Sequence, residues 1–471
     1  MPEMLVFRVS IAMKLFLASL TFLNFNLAVS KYCPFKDDFD VVDFKTMVSS
    51  NSTYVDKSLL IEEVLKHPGQ VILITRPKKW GKTLNLDMME KFFDIEFDEN
   101  GTPLPHDQLK NRVLFFGGPI TGRSIMLPSL KIANVSNAIE HFGRHPVIFL
   151  RLGNLKGANH HELQTGLKSR IGRLFSRYKF IQRYATESQN EILTKYFEAN
   201  YDDISAKELN TSLDMLSELV YQHFNKTVYV LIDDYDDPIN RAFREFGHRY
   251  AEFDKVVRLF RQIFDRLLPE RNPYLEKSIV TGTFVLKKLF PKRDGNKIEK
   301  YTILDEPFSK FFGFVESEVD ELVSKITPEK NSSIDIKKWY GGYGLRNSDF
   351  ELFHPWSVLQ SVCSGGGKAT WYLNNDELPV PLPNSVISHN DVKKLTSGGF
   401  VTISIMKEID YDDLCCAEGA FSLCVFNGYL SSISSTTKRD VILFNLTIPN
   451  EAVKFYFLKG MEASGEISFD E

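Results

Sequence analysis

Residues 71–93, VILITRPKKWGKTLNLDMMEKFF, constrain the fold more than any other stretch of the chain. An unbroken apolar run meets a basic turn, and the turn ends in Gly-Lys-Thr where a helical pattern begins. An apolar run without polar alternation suits a strand buried on both faces of a parallel sheet. The turn then brings a glycine, a lysine and a hydroxyl to a helix N-terminus, where unpaired backbone N–H groups favour anions. Leu84, Met88 and Phe92 carry the helical spacing onward. The pattern G-x-x-x-x-G-K-[ST] is met except at one place: counting back from Gly81, its first glycine falls on Arg76.

Three further runs read as strands: HPVIFLRLG at 145–153, TVYVLIDDYD at 227–236 and KSIVTGTFV at 277–285. Helices are predicted over 54–67, through much of 160–224 and over 254–268. Strands alternating with helices predict the α/β class, a P-loop NTPase parallel sheet flanked by helices. Beyond residue 305 the texture changes. The expected order is a signal peptide at 1–30, a P-loop domain at 31–305, a mainly helical, lid-like subdomain at 306–395, and a small α+β region at 396–471. Gly365-Gly366-Gly367 marks a loop in the third of these, and VILFNLTI at 441–448 marks a strand in the last.

In a phosphate loop, Lys82 is placed to reach the β- and γ-phosphates of ATP, and the Thr83 hydroxyl to ligate Mg²⁺. Gly81 and Arg76 complete the expected nucleotide contacts. Pro77 pushes Arg76 towards an extended backbone, so this end of the loop has no need of glycine. Arg76, Lys78 and Lys79 either add charge beside phosphate or sit in solvent. The run VYVLIDDYDDP ends a buried strand in acid, where P-loop ATPases hold their metal-binding carboxylate. Asp233 is the expected Mg²⁺ ligand, and Asp234 the group that orients or deprotonates the attacking water. Thr281, at the tip of IVTGT, is either a γ-phosphate sensor or an ordinary strand end. Arg258 and Arg261 are candidate arginine fingers, with solvent-facing charges as the plainer expectation.

The net charge of −4 argues against a general nucleic-acid binder, and the basic run at 287–297 is expected to be a solvated loop. Lys14 precedes LFLASLTFLNFNLA, and Ala28-Val29-Ser30 offers small residues for a signal peptidase. That apolar stretch falls short of the ~20 residues needed to span a bilayer. A cleaved signal, with translation starting at Met1 or Met13, and a secreted or luminal protein with no further membrane anchor are therefore expected. Six N-x-[ST] sequons, at Asn51, Asn134, Asn210, Asn225, Asn331 and Asn445, permit that route. Five cysteines are too few for a disulfide scaffold and show no paired zinc spacing.

The succession YVDKS, ITRPKKWGKTLNLDMMEKFFD, VLIDDYDDPI, VTG, FGFVESEV, WYGGYG, HPWSVL and IPNEAV resembles the AAA-ATPase-like family over residues 45 to 455. Bacterial members carry a RPRRFGKS loop and a DEYD acidic strand end, so the resemblance implies that arginine at position 76 is a family trait. Three departures stand out. Asp234 replaces the family's glutamate, Gly341 replaces the aspartate of WYDGY, and FHPW replaces YNPW. The PD-(D/E)XK nuclease-like domain common in bacterial relatives is not expected here, since no E/D-x-K core strand follows. Family members are usually cytosolic, so the signal peptide sets this chain apart; together with Asp234 it leads to the expectation of a secreted Mg-ATP-binding protein with slow or impaired hydrolysis. The alternative is a secreted effector or binding protein that keeps the fold without the ATPase activity and acts on an unidentified protein target.

Overall fold

The computed structural model describes residues 43–50, 53–120, 126–247, 249–267, 272–290, 298–326, 333–344, 350–364 and 386–463. Strands β1 (Val71–Thr75), β2 (Val147–Arg151), β3 (Val228–Asp233), β4 (Leu275–Gly282) and β5 (Ile298–Tyr301) form one sheet in the order β2-β3-β4-β1-β5. Every neighbouring pair is parallel. This is the α/β class that the apolar runs predict. Strand β4 separates the phosphate-loop strand from the acidic one and is hydrogen-bonded to both.

Side chains alternate along each strand, so the sheet is covered on both faces. Ile72, Ile74, Val147, Phe149, Tyr229, Leu231 and Ile279 share a core with Leu86, Met89 and Phe93 of helix α1 (Lys82–Phe93). Leu73, Ile148, Leu150, Val230, Ile232 and Val280 face the opposite core. That second core is closed by helices α2 (His160–Arg177), α3 (Ala206–Phe224) and α5 (Tyr250–Phe264), with α4 (Asp237–Phe246) following β3. Helix α3 starts where a capping box dictates: the Ser205 hydroxyl accepts from Glu208 N–H while the Glu208 carboxylate accepts from Ser205 N–H.

Two local expectations differ. The helix predicted over 54–67 begins only at Leu60, because the polar groups before it bond elsewhere. Asp56 accepts from the Lys131 and Ser58 amides, and Lys57 forms an ion pair with Glu318 at 2.6 Å, so this stretch is irregular up to a turn at Ser58-Leu59. Strand β5, IEKY, is an edge strand only half-buried along its length, and its sequence carries no apolar run to announce it.

The C-terminal third packs against the same core. Helices Glu316–Ile326, Ser333–Tyr340 and α6 (Pro355–Cys363) are followed by an antiparallel sheet of β6 (Val401–Ser404), β7 (Ser431–Lys438) and β8 (Val441–Thr447), in the order β6-β8-β7. One buried cluster runs from Leu73 through Val358 and Leu446 to Phe457. Glu408–Ile409 also pairs in parallel with Val285–Leu286, just beyond β4. Of the basic run at 287–297, expected to be a solvated loop, Lys287 and Lys288 are partly exposed and pair with Asp413 at 2.7 Å and Asp412 at 2.6 Å, while 291–297 lie outside the described residues. Cys363 is buried and disulfide-bonded, whereas Cys415, Cys416 and Cys424 are free thiols. Among the described residues no helix is long and apolar enough to cross a membrane. The signal peptide at 1–30 and the Gly365–Gly367 loop lie outside the described residues.

Candidate functional site

At the C-terminal ends of β1 and β3 lies a cleft of about 460 Å³. This is where ligands sit in open parallel sheets, and the volume falls within the usual range for small-molecule sites. One wall is the phosphate loop. Gly81 caps α1 with φ +78, in the left-handed region that glycine enters without strain, and the space where a Cβ would stand is open. The first backbone bond of the helix is Asn85 N–H to the Gly81 carbonyl at 3.0 Å. The amides of Lys82, Thr83 and Leu84 precede that bond, and all three residues line the cleft. A helix N-terminus of this kind favours an anion.

Lys82 Nζ donates to the carbonyls of Arg76 at 3.1 Å and Pro77 at 3.0 Å, and stands 3.9 Å from Asp234 Oδ1. The Thr83 hydroxyl donates to Asp233 Oδ2 at 2.6 Å, and the Thr281 hydroxyl donates to Oδ1 of the same carboxylate at 2.8 Å. Asp233 is thus fixed from both sides on the α1 face of the sheet. Its oxygens and the Thr83 hydroxyl form a hard-oxygen set, which suits a divalent cation that also takes phosphate oxygens. Asp234 has φ +50, a left-handed conformation that aspartate tolerates better than most residues. Burial, and then the neighbouring Asp233 carboxylate, push its carboxyl up, to about 7.

The rest of the DDYDDP run holds this corner together. Tyr235 is buried, and its hydroxyl donates to the Phe284 carbonyl at 2.6 Å. The Asp236 carboxylate accepts from the Thr283 amide, and Asp237 accepts from the Asn154 amide and from Arg241.

Two expected contacts are placed differently. Arg76 does not reach the cleft: its guanidinium is fully buried, donates to the carbonyls of Thr75 and Tyr301, and lies over the Phe312 ring. Its role is to tie the end of β1 to β5 and the segment beyond. Thr281 is also fully buried, behind Asp233, with its hydroxyl committed to that carboxylate, and Thr283 lines the cleft instead. Lys78 and Lys79 do line it. Arg258 is solvent-exposed and paired with Asp254 at 2.7 Å, and neither it nor Arg261 borders the cleft. Sequence reasoning missed Lys57, Arg151 and Arg241, three cations on the lining.

A family model described as Predicted AAA-ATPase matches residues 39–107 and 114–290, just over half of the chain. The chain belongs to this AAA-ATPase-like family. No curated protein and no solved structure matches it. Family membership points to nucleotide binding, and three later segments, outside the matched residues, converge on one side chain of the AAA-ATPase-like loop, Trp80. Trp80 is fully buried, with Tyr343 of WYGGYG edge-on at 5.0 Å and His354 of HPW at 5.8 Å. Gly313 of FGF has φ +108, and a Cβ there would stand 2.8 Å from the Trp80 ring.

Two of the three positions expected to depart from the family pattern, His354 and Gly341, have packing roles of their own. His354 caps α6 by accepting from Ser357 N–H, while its other ring nitrogen faces the Lys78 carbonyl at 3.3 Å. Burial pushes His354 down to about 3, so the ring is neutral at ordinary pH. Gly341 does not border the cleft. A Cβ there would come within 2.9 Å of the Lys337 carbonyl, and its own carbonyl accepts from Asn450 of IPNEAV. Only the Asp234 departure lies in the site.

Proposed function

We propose that the chain binds ATP with Mg²⁺ in this cleft and hydrolyses it slowly. The observation that carries the proposal is the Thr83–Asp233 hydrogen bond beside Lys82, which brings the phosphate-loop hydroxyl and the acidic strand together. The lining supports it: Lys57, Lys78, Lys79, Lys82, Arg151 and Arg241 outnumber Asp233, Asp234 and Asp237, the balance a Mg²⁺-bound polyphosphate calls for.

Thr83 and Asp233 would hold the metal, which supplies charge neutralisation across the β- and γ-phosphates. Lys82 would exchange its two loop carbonyls for phosphate oxygens. Thr281 keeps Asp233 in orientation. Asp234, raised towards neutrality, is poised to accept a proton from water. It is one methylene shorter than the glutamate of the family pattern, and a misplacement of about 1 Å can lower a rate by about 10²-fold. Titration calorimetry with Mg·ATP on protein lacking residues 1–30 tests the proposal. Saturable 1:1 heat is expected, and no heat at millimolar nucleotide would refute it.

The site is proposed to operate in an exported protein. The apolar segment after Lys14 and the small residues at 28–30 support that reading. A buried disulfide at Cys363 also supports it, since such bonds persist in oxidising compartments.

A further inference from the structure

We propose that Arg151 recognises the terminal phosphate, so that this chain itself distinguishes a nucleoside triphosphate from a diphosphate. The inference rests on the nucleotide reading above and concerns a residue that no motif in the sequence marks.

Arg151 ends β2, the strand next to the acidic one, and is paired in register with Asp233. In-register residues on parallel neighbours project to the same face, with their backbones about 4.8 Å apart. Residues 147, 149 and 151 alternate onto the α1 side, as Val147 and Phe149 show by packing in the α1 core. Thr281, Asp233 and Arg151 therefore form one polar row across three strand tips, all facing the phosphate-loop helix.

The helix answers that row turn by turn. Thr83 meets Asp233, and four residues later Asp87 accepts from the Arg151 guanidinium at 2.7 Å. One helical turn rises about 5.4 Å, which puts the guanidinium roughly that far along the helix from the Thr83 hydroxyl. With a β-phosphate at the loop amides and Lys82, a third phosphate would fall in the part of the cleft that Asp234 and Arg151 border. Arg151 lines the cleft on that side, next to Gly153 and Asn154.

The side chain is held but not locked. Arg151 is half exposed, lies over the Phe149 ring at 4.3 Å and stands 3.8 Å from Glu90, whereas Asp87 is 4% exposed and keeps other partners, with the Phe44 amide at 2.8 Å and Lys91 at 3.5 Å. Asp87 would stay satisfied if the guanidinium swung to a phosphate. The pair is only half exposed, so the exchange is favourable only where phosphate charge replaces the Asp87 contact, which makes it ligand-dependent. Arginine suits the task, because its planar donors grip phosphate oxygens in pairs and it stays charged throughout. Supplied from the same chain, such a cation acts as an arginine finger in cis.

The test is calorimetric titration of the native protein, Arg151→Ala and Arg151→Lys with Mg·ATP and with Mg·ADP. In Arg151→Ala, ATP affinity is expected to fall roughly 10- to 150-fold, the loss of a charge-assisted contact, while ADP affinity changes by no more than about twofold. Arg151→Lys should recover part of the ATP affinity. Intact ADP binding shows that the variant is folded. Equal weakening for both nucleotides would mean a structural role, and unchanged ATP affinity would mean that the terminal phosphate is read elsewhere; either overturns the inference. Failure of the native protein to bind either nucleotide is a different result and removes the nucleotide reading itself.

Discussion

Trp80 of the phosphate loop and Tyr343 of the C-terminal third meet edge to face, with ring centroids 5.0 Å apart and planes at 90°. The loop is therefore held from behind by residues some 260 positions later in the chain, a separation read directly from the numbering. Such an arrangement preorganises the backbone amides and makes the C-terminal motifs part of the site's support.

Gly313 offers a direct test of that support. At φ +108, with Trp80 2.8 Å from the position of a Cβ, any side chain must displace the indole. Gly313→Ala should destabilise the fold by about 1–3 kcal/mol, as overpacking does. It should also weaken nucleotide binding although it adds nothing to the cleft. Chemical denaturation and titration of the same variant check both. An unchanged denaturation midpoint would show that the Trp80 contact is not tight.

Asp234 governs the rate in this account. Asp234→Glu should raise phosphate release measurably and leave Mg·ATP affinity nearly unchanged, with Asp233→Ala as the blank. In the native protein, turnover should rise with pH as the Asp234 carboxyl ionises and becomes a base. Native turnover that Asp234→Glu slows would contradict the impaired-base argument. If neither protein exceeds the blank, the effector or binding-protein reading prevails.

The same carboxyl has a stability signature. Its folded value is raised above the ordinary value, about 3.9. Its contribution to folding is thus complete below that ordinary value and is lost as pH rises through about 7. Asp234→Asn removes the penalty of burying the anion beside Asp233. The melting temperature of Asp234→Asn relative to the native protein should therefore be higher at pH 8 than at pH 5, in the absence of metal and nucleotide. An equal difference at both values would place Asp234 in free solvent.

The strand–loop–helix and the acidic strand were legible because each is a local pattern: an apolar run, Gly-Lys-Thr, and acid at a strand end. Arg76 was not legible. A basic residue in a basic turn reads as a phosphate contact or as solvated, and only the fold brings the Thr75 and Tyr301 carbonyls to its guanidinium. Thr281 was found, but its burial behind Asp233 depends on the register of two strands distant in sequence. Arg151 was missed for the same reason. The alternation of VIFLR shows which residues share a face with Val147, yet nothing local says that the acidic strand lies beside it in register. Strand β5 was missed because a half-buried edge strand carries no apolar run.

Export makes its own prediction. Protein recovered from the medium of expressing cells should begin close to Lys31. Glycans, where present, should fall on the exposed Asn134 or Asn225 in preference to Asn445, whose amide is held between Thr402 at 2.7 Å and Ser434 at 2.8 Å. N-terminal sequencing and glycopeptide mapping decide this. An intact N-terminus on cytosolic protein would exclude the signal.

Lys82 and the loop amides are proposed to hold the phosphates of a nucleotide. Titration of Mg·ATP into native protein and Lys82→Ala, both lacking residues 1–30, tests that role most directly. Among the described residues, Lys82 bonds to the Arg76 and Pro77 carbonyls and, more distantly, to Asp234. Its removal should leave the melting transition cooperative while costing about 1.5–3 kcal/mol of binding, roughly 10- to 150-fold in affinity. Equal ATP affinity in the two folded proteins would contradict the account.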